Sequence, residues 1–202
     1  MSEVISYTDE KANSIKSFDV ISNFMWRRAT FLLKNAFKEN EKILVMDPCA
    51  GGGKLLSGMN KAFEGKAYEP NYGPFMYAQY LFEQKDYDVN VVNMPLEFHF
   101  SSVNLPEYHL AISFPYTDRE INSSMETCKE CRQFKNYAYY VMYKSLDVLQ
   151  EGGFGVFAIP ASLLDKKKYE YEISCITNKA EVLSIEQYQD YAIILLKKDK
   201  LK

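Results

Sequence analysis

The apolar run Lys42-Ile43-Leu44-Val45-Met46 ends in Asp47 and then breaks into Pro48-Cys49-Ala50-Gly51-Gly52-Gly53. A strand that finishes on an acid and a glycine turn is suited to holding a ligand closely. Glycines reach positive φ and let the backbone approach, a helix starting near Lys54 would turn its unpaired N–H groups toward the ligand, and Asp47 can accept from an amino group or hydroxyl. The spacing is neither the dinucleotide fingerprint nor a P-loop, because Gly53-Lys54 is followed by Leu55 where a Ser or Thr would hold magnesium. A nucleoside triphosphate site is therefore not expected. Glu69 ends a second such stretch before Pro70, where a doubly wound fold sets an acid against ribose hydroxyls. Asn93, at the end of a third, carries an amide that can contact an adenine amino group. Ser113-Phe114-Pro115-Tyr116 closes a fourth. There the Ser113 hydroxyl and the carbonyl of residue 114 can accept from a planar N–H₂ group, and Tyr116 offers a face for stacking. Taken singly, Glu69 is an ordinary loop acid and the tetrapeptide an ordinary strand running into a proline turn. The glycine turn is what ties them to a ligand.

These residues need elements to carry them. Phe18, Ile21, Met25, Ala29, Leu32 and Ala36 recur at helical spacing, which predicts a helix over residues 17–38 capped by Ser17 or Asn13. Strands are expected at 42–47, 66–69, 89–93, 109–113 and 154–159, separated by helices at 54–63, 73–84 and 136–149. Near-continuous Val, Ile, Leu and Ala in strands that alternate with helices mean a mostly parallel α/β sheet covered on both faces, a doubly wound Rossmann-like arrangement. The apolar runs 182–186 and 191–196 flank Gln187-Tyr188-Gln189-Asp190 and predict a C-terminal antiparallel hairpin. The expected organisation is an N-terminal segment, 1–16, followed by a single domain, 17–202, with long loops at 101–107 and 117–135.

Composition narrows the function. With 202 residues, 47% apolar and 25% charged, the chain suits one well-buried domain. No apolar run approaches the roughly 20 residues that span a bilayer, and Met1 to Ser6 lacks the features of a signal peptide, so no membrane association and a cytoplasmic location are expected. The four cysteines are then free thiols. Cys128-Lys129-Glu130-Cys131 would need two more ligands, and neither His99 nor His109 stands at ligand spacing, so no metal is expected. Lys166-Lys167-Lys168 is first a solvated face and second a phosphate contact. A net charge of −3 argues against strong, independent nucleic-acid binding.

The chain resembles the Rossmann-like S-adenosylmethionine-dependent amino-methyltransferases, the γ-type N6-adenine DNA enzymes in particular. Asp47 to Gly53 is similar to their cofactor motif, Tyr68-Glu69-Pro70-Asn71 to their second-strand acid, and Gly152 to Pro160 to their fifth strand. Ser113-Phe114-Pro115-Tyr116 stands where the family has Asn/Asp/Ser-Pro-Pro-Tyr/Phe/Trp. The resemblance implies S-adenosylmethionine held by Asp47, Pro48, Cys49, Ala50, Gly51, Gly53, Glu69, Pro70 and Asn93. It also implies methyl transfer to an amine presented at Ser113, Phe114, Pro115 and Tyr116, with N6 of adenine in DNA as the first choice and RNA or a protein glutamine as others. Phe114 replaces the first Pro, Ser113 the commoner Asn or Asp, and no separate target-recognition domain is expected before Lys202. A protein partner supplying recognition of the DNA or RNA is expected. The alternative is a catalytically weak methyltransferase-like subunit that serves in assembly or regulation.

Overall fold

Successive residues of a strand point to opposite sides of its sheet, so a strand apolar at every position needs cover on both faces. The computed structural model of this chain has that arrangement; it describes residues 3–38, 41–94, 107–117 and 131–199, with side chains from residue 18 onward. The strands are β1 (Leu44–Asp47), β2 (Glu64–Tyr68), β3 (Val89–Val92), β4 (Tyr108–Ser113), β5 (Leu149–Pro160), β6 (Ala180–Tyr188) and β7 (Tyr191–Lys198). They form one seven-stranded sheet in the order β3-β2-β1-β4-β5-β7-β6. β1 pairs in parallel with both β2 and β4, and β3 and β5 extend the parallel sheet on either side. β7 alone runs antiparallel, between β5 and β6. The chain thus winds outward from β1 to β3 and returns to β4, which puts the switch in strand order between β1 and β4. Asp47 and Ser113, the last residues of those strands, flank it. Ligands bind at such switch points because the connections leave in opposite directions and open a crevice.

The helices are α1 (Glu3–Ala36), α2 (Tyr72–Lys85), α3 (Tyr137–Val148) and α4 (Glu170–Thr177). Val45, Leu110, Ile112, Phe154 and Val156 pack with Ile21, Met25 and Ala29 of α1 and Phe82 of α2. Their neighbours Met46, Ala111, Phe157 and Ile159 point the other way, toward Val141, Met142 and Leu146 of α3 and Ile176 of α4. Each such side chain contributes about 1.5–3 kcal/mol through burial, so the two layers clamp the sheet and hold its strand ends still. No helix among the described residues is long and apolar enough to cross a membrane.

Several expectations differ from the structure. The helix expected over 54–63 is absent, and only a 3₁₀ turn at Leu56–Gly58 stands there. The Trp26 indole donates to the Leu55 carbonyl at 2.7 Å, and the same ring lies where a Cβ on Gly58 would be, 2.9 Å from its nearest atom. Gly58, Ser57 and Asn60 are weak helix formers, so a tertiary contact overrides the local pattern. The ligand site consequently has no helix N-terminus behind the glycine turn. α1 starts at Glu3 and runs through both Asn13 and Ser17, so neither caps it and no break occurs at residue 16. β5 begins at Leu149, directly after α3. The short α4 was not expected, since eight residues with Ile173 and Ile176 give almost no period. Residues 101–106 and 118–130, with His99 and Cys128, lie outside the described residues.

Candidate functional site

Two carboxylates stand at the ends of neighbouring strands with the glycine turn between them. Asp47 is 1% exposed. Its Oδ1 accepts from the Cys49 N–H at 3.0 Å and from the Ser113 hydroxyl at 2.7 Å, while Oδ2 is buried without a hydrogen-bond partner. Burial pushes the Asp47 carboxyl up to about 7, against the pull of the Ser113 and Cys49 hydrogen bonds and with a further push from the Glu69 charge. A buried oxygen without a donor favours an incoming N–H or ammonium group, because such a group removes the penalty of leaving it unpaired.

Glu69 is fully buried and takes three donors. Its Oε1 accepts from the Asn71 N–H at 2.7 Å, and its Oε2 from the Gly51 N–H at 3.0 Å and from the Tyr116 hydroxyl. Burial and then the Glu69 hydrogen bond push the Tyr116 phenol well above its ordinary value, so it remains a donor. Pro48 and Cys49 turn the chain out of β1, and the Ala50 N–H donates to the Tyr68 carbonyl at 3.0 Å, tying the turn to β2. Gly51 and Gly53 have φ of +54° and +77°, and a Cβ on Gly53 would lie 2.7 Å from the Phe82 ring. Asn93 donates from Nδ2 to the carbonyls of Glu69 at 2.9 Å and Pro70 at 3.1 Å. It braces the acid's corner and turns Oδ1 into the atom that can accept from a ligand.

Two cavities meet here. One, of about 440 Å³, is lined by Phe18, Asp47, Cys49, Ala50, Gly51, Gly52, Phe114 and Tyr116. The other, of about 400 Å³, is lined by Asn71, Phe114, Pro115, Tyr116, Thr117, Pro160 and Tyr191. Both are of a size that takes a small molecule. Phe114 and Tyr116 line both cavities and so stand between them. The structure therefore brings together Asp47, the turn, Glu69 and the tetrapeptide. Ser113, however, is fully buried behind Asp47, and its hydroxyl donates its hydrogen bond to that carboxylate.

Sequence reasoning missed Phe18 and Tyr191, whose rings lie 4.6 Å and 6.3 Å from that of Phe114. It also gave Phe114 no packing role: its ring joins α1 to the start of β7. Phe18 carried only the helical period of a core face, and nothing local marks Tyr191. Lys54 lines the first cavity too, with its ammonium 5.1 Å from the Phe18 ring centroid and 2.6 Å from Asp19.

No protein-family model matches this sequence, and no curated protein sequence matches it. Solved structures do. A Listeria monocytogenes protein assigned to the class I S-adenosylmethionine-dependent methyltransferases superposes with a TM-score of 0.72 at 12% identity, over 89% of this chain and 60% of that one. This chain thus spans 60% of that protein's length. An rRNA methylase from Streptococcus thermophilus follows at a TM-score of 0.55 and 17% identity, covering 84% of this chain and 93% of that one. The N-methyltransferase NodS from Bradyrhizobium japonicum gives 0.54 and 12%, over 88% and 98%. At these identities the likeness is one of fold. This chain has the fold of the class I methyltransferases.

Proposed function

We propose that the chain is an S-adenosylmethionine-dependent N-methyltransferase acting on an exocyclic amine of a planar ring, with N6 of adenine in DNA as the first choice. The observation that carries this reading is the pair of buried acids, Asp47 and Glu69, flanking a glycine turn at the switch point, with Asp47 Oδ2 lacking a donor. The residues present fit the cofactor. Asp47 Oδ2 suits its ammonium, Glu69 its ribose hydroxyls, Gly51 and Gly53 a close backbone approach, and Asn93 Oδ1 its adenine amino group. When bound, S-adenosylmethionine supplies a methyl group on a positively charged sulfur.

The chain's own residues supply binding and orientation. Ser113 acts from behind, fixing the Asp47 carboxylate with its hydroxyl. The Phe114 carbonyl is the acceptor for the target amine, and Pro115, Tyr116 and Tyr191 wall the cavity in which a flat ring would lie. Displacement at a methyl group gains chiefly from such positioning. A base within a duplex would have to leave its stack to enter. The net charge of −3 supports a partner that supplies target recognition.

RNA is the second acceptor, favoured by the shared fold of the S. thermophilus rRNA methylase. The Phe114 ring, locked between Phe18 and Tyr191 where the family has a Pro, favours the further reading of a weakly catalytic subunit. The test is incubation of the purified chain with radiolabelled S-adenosylmethionine and unmethylated DNA, RNA or cell extract. Label in adenine of DNA supports the first choice, and label in RNA the second. Cofactor binding by calorimetry with no label anywhere supports the subunit reading. No cofactor binding overturns all of them.

A further inference from the structure

The Tyr116 hydroxyl donates to Oε2 of Glu69, the carboxylate that the proposed function assigns to a ribose. Glu69 is fully buried and takes three donors: the N–H groups of Asn71 and Gly51 and the O–H of Tyr116. Two of these are backbone groups fixed by the β2 corner and the glycine turn. Only the Tyr116 hydroxyl rides on a side chain that can rotate away. Its oxygen lies 3.7 Å from where a Cβ on Gly51 would be, so the phenol reaches across the turn, and its ring borders both cavities.

We propose that Tyr116 is a latch. Its hydroxyl closes on Glu69, and ribose hydroxyls arriving at Glu69 displace it while the ring continues to border both cavities. This rests on reading Glu69 as the ribose acid. The physical basis is exchange: a buried carboxylate keeps its hydrogen bonds only if one donor replaces another as it leaves. A single ring serves both cavities, so the cofactor side and the acceptor side are coupled through it. The phenol stays protonated, so the ligand and not pH opens the latch.

Calorimetry with the full chain tests this. S-adenosylhomocysteine, and its analogue with a 2′,3′-dideoxyribose, are titrated into the wild-type chain and into Tyr116→Phe, which keeps the ring and both cavity walls. Tyr116→Phe is expected to bind S-adenosylhomocysteine about tenfold more tightly, a change of about 1.4 kcal/mol, because it has no charge-assisted hydrogen bond to give up. The dideoxy analogue is expected to bind both chains equally. Equal or weaker binding of S-adenosylhomocysteine by Tyr116→Phe overturns the latch and leaves the cofactor site standing. The same tenfold gain with the dideoxy analogue also overturns it, since the hydroxyl would then obstruct by bulk and not by competing for Glu69. No heat from either chain at millimolar S-adenosylhomocysteine overturns the latch together with the cofactor reading.

Discussion

Asp47 is held in a way that costs the fold stability, and the cost depends on pH. In the folded chain burial pushes its carboxyl up to about 7, well above the ordinary carboxylate range of about 4. Below pH 4 both folded and unfolded chains carry the proton, and stability is unaffected by this group. Between about pH 4 and 7 the unfolded chain loses the proton while the folded chain keeps it, so stability falls as pH rises, and above pH 7 the penalty is constant. At about 1.4 kcal/mol per pKa unit, the full penalty is on the order of 4 kcal/mol. Asp47→Asn keeps an acceptor for Cys49 and Ser113 but removes the buried charge. Thermal melts at pH 5 and pH 8 should show the wild-type chain losing stability at the higher pH and the variant losing much less. A wild-type melting temperature that does not fall would mean the carboxyl ionises freely. Glu69→Ala should weaken S-adenosylhomocysteine binding by about 1–3 kcal/mol, the cost of unpairing hydrogen bonds to a charged group. Calorimetry giving an unchanged affinity would move the ribose contact elsewhere.

The glycine turn is shaped by the helix packed beneath it. Gly53 combines a φ of +77° with a position 2.7 Å from the Phe82 ring and 3.1 Å from Ala78, both on α2. Gly53→Ala should therefore destabilise the chain by roughly 2–4 kcal/mol, through backbone strain and overpacking together. Gly73, in the first turn of the same helix, has nothing within 4 Å of a Cβ. Gly73→Ala should be neutral or stabilising by up to about 1 kcal/mol. Urea midpoints of the two variants compare these directly, and similar midpoints would show that α2 yields to a side chain at Gly53. The turn at Leu56–Gly58 belongs to the same scale: Trp26 closes the crossover with a side-chain contact where a helix would otherwise run.

For the whole molecule, the decisive quantity is charge. With 24 basic and 27 acidic residues the chain can neutralise few phosphates on its own. Each phosphate contact adds about −0.9 to the slope of log affinity against log salt, so DNA binding by this chain should be weak and its salt dependence shallow. Titration of labelled duplex DNA at several salt concentrations reads that slope. Nanomolar, sequence-selective binding by the 202-residue chain would show that it needs no partner for recognition.

The central strands were legible in the sequence, because the near-continuous apolar runs ending in Asp47 and Ser113 reflect a local period that burial on two faces imposes, whereas β2 and β3, which end at Tyr68 and Val92 just before Glu69 and Asn93, carry a weaker pattern. The acids and the glycine turn were legible for the same local reason. Tertiary structure alone decided how they are used. Trp26, 29 positions from Leu55, replaced the expected helix by a turn. Tyr116, 47 positions from Glu69, became its partner, and Ser113, 66 positions from Asp47, became the support of that acid. The orphaned Asp47 oxygen and its raised pKa arise from burial by several elements at once. A run of residues encodes its own periodicity, but which donor meets which acceptor depends on segments distant in the chain, brought together by the packing of α1 and α2 on the sheet.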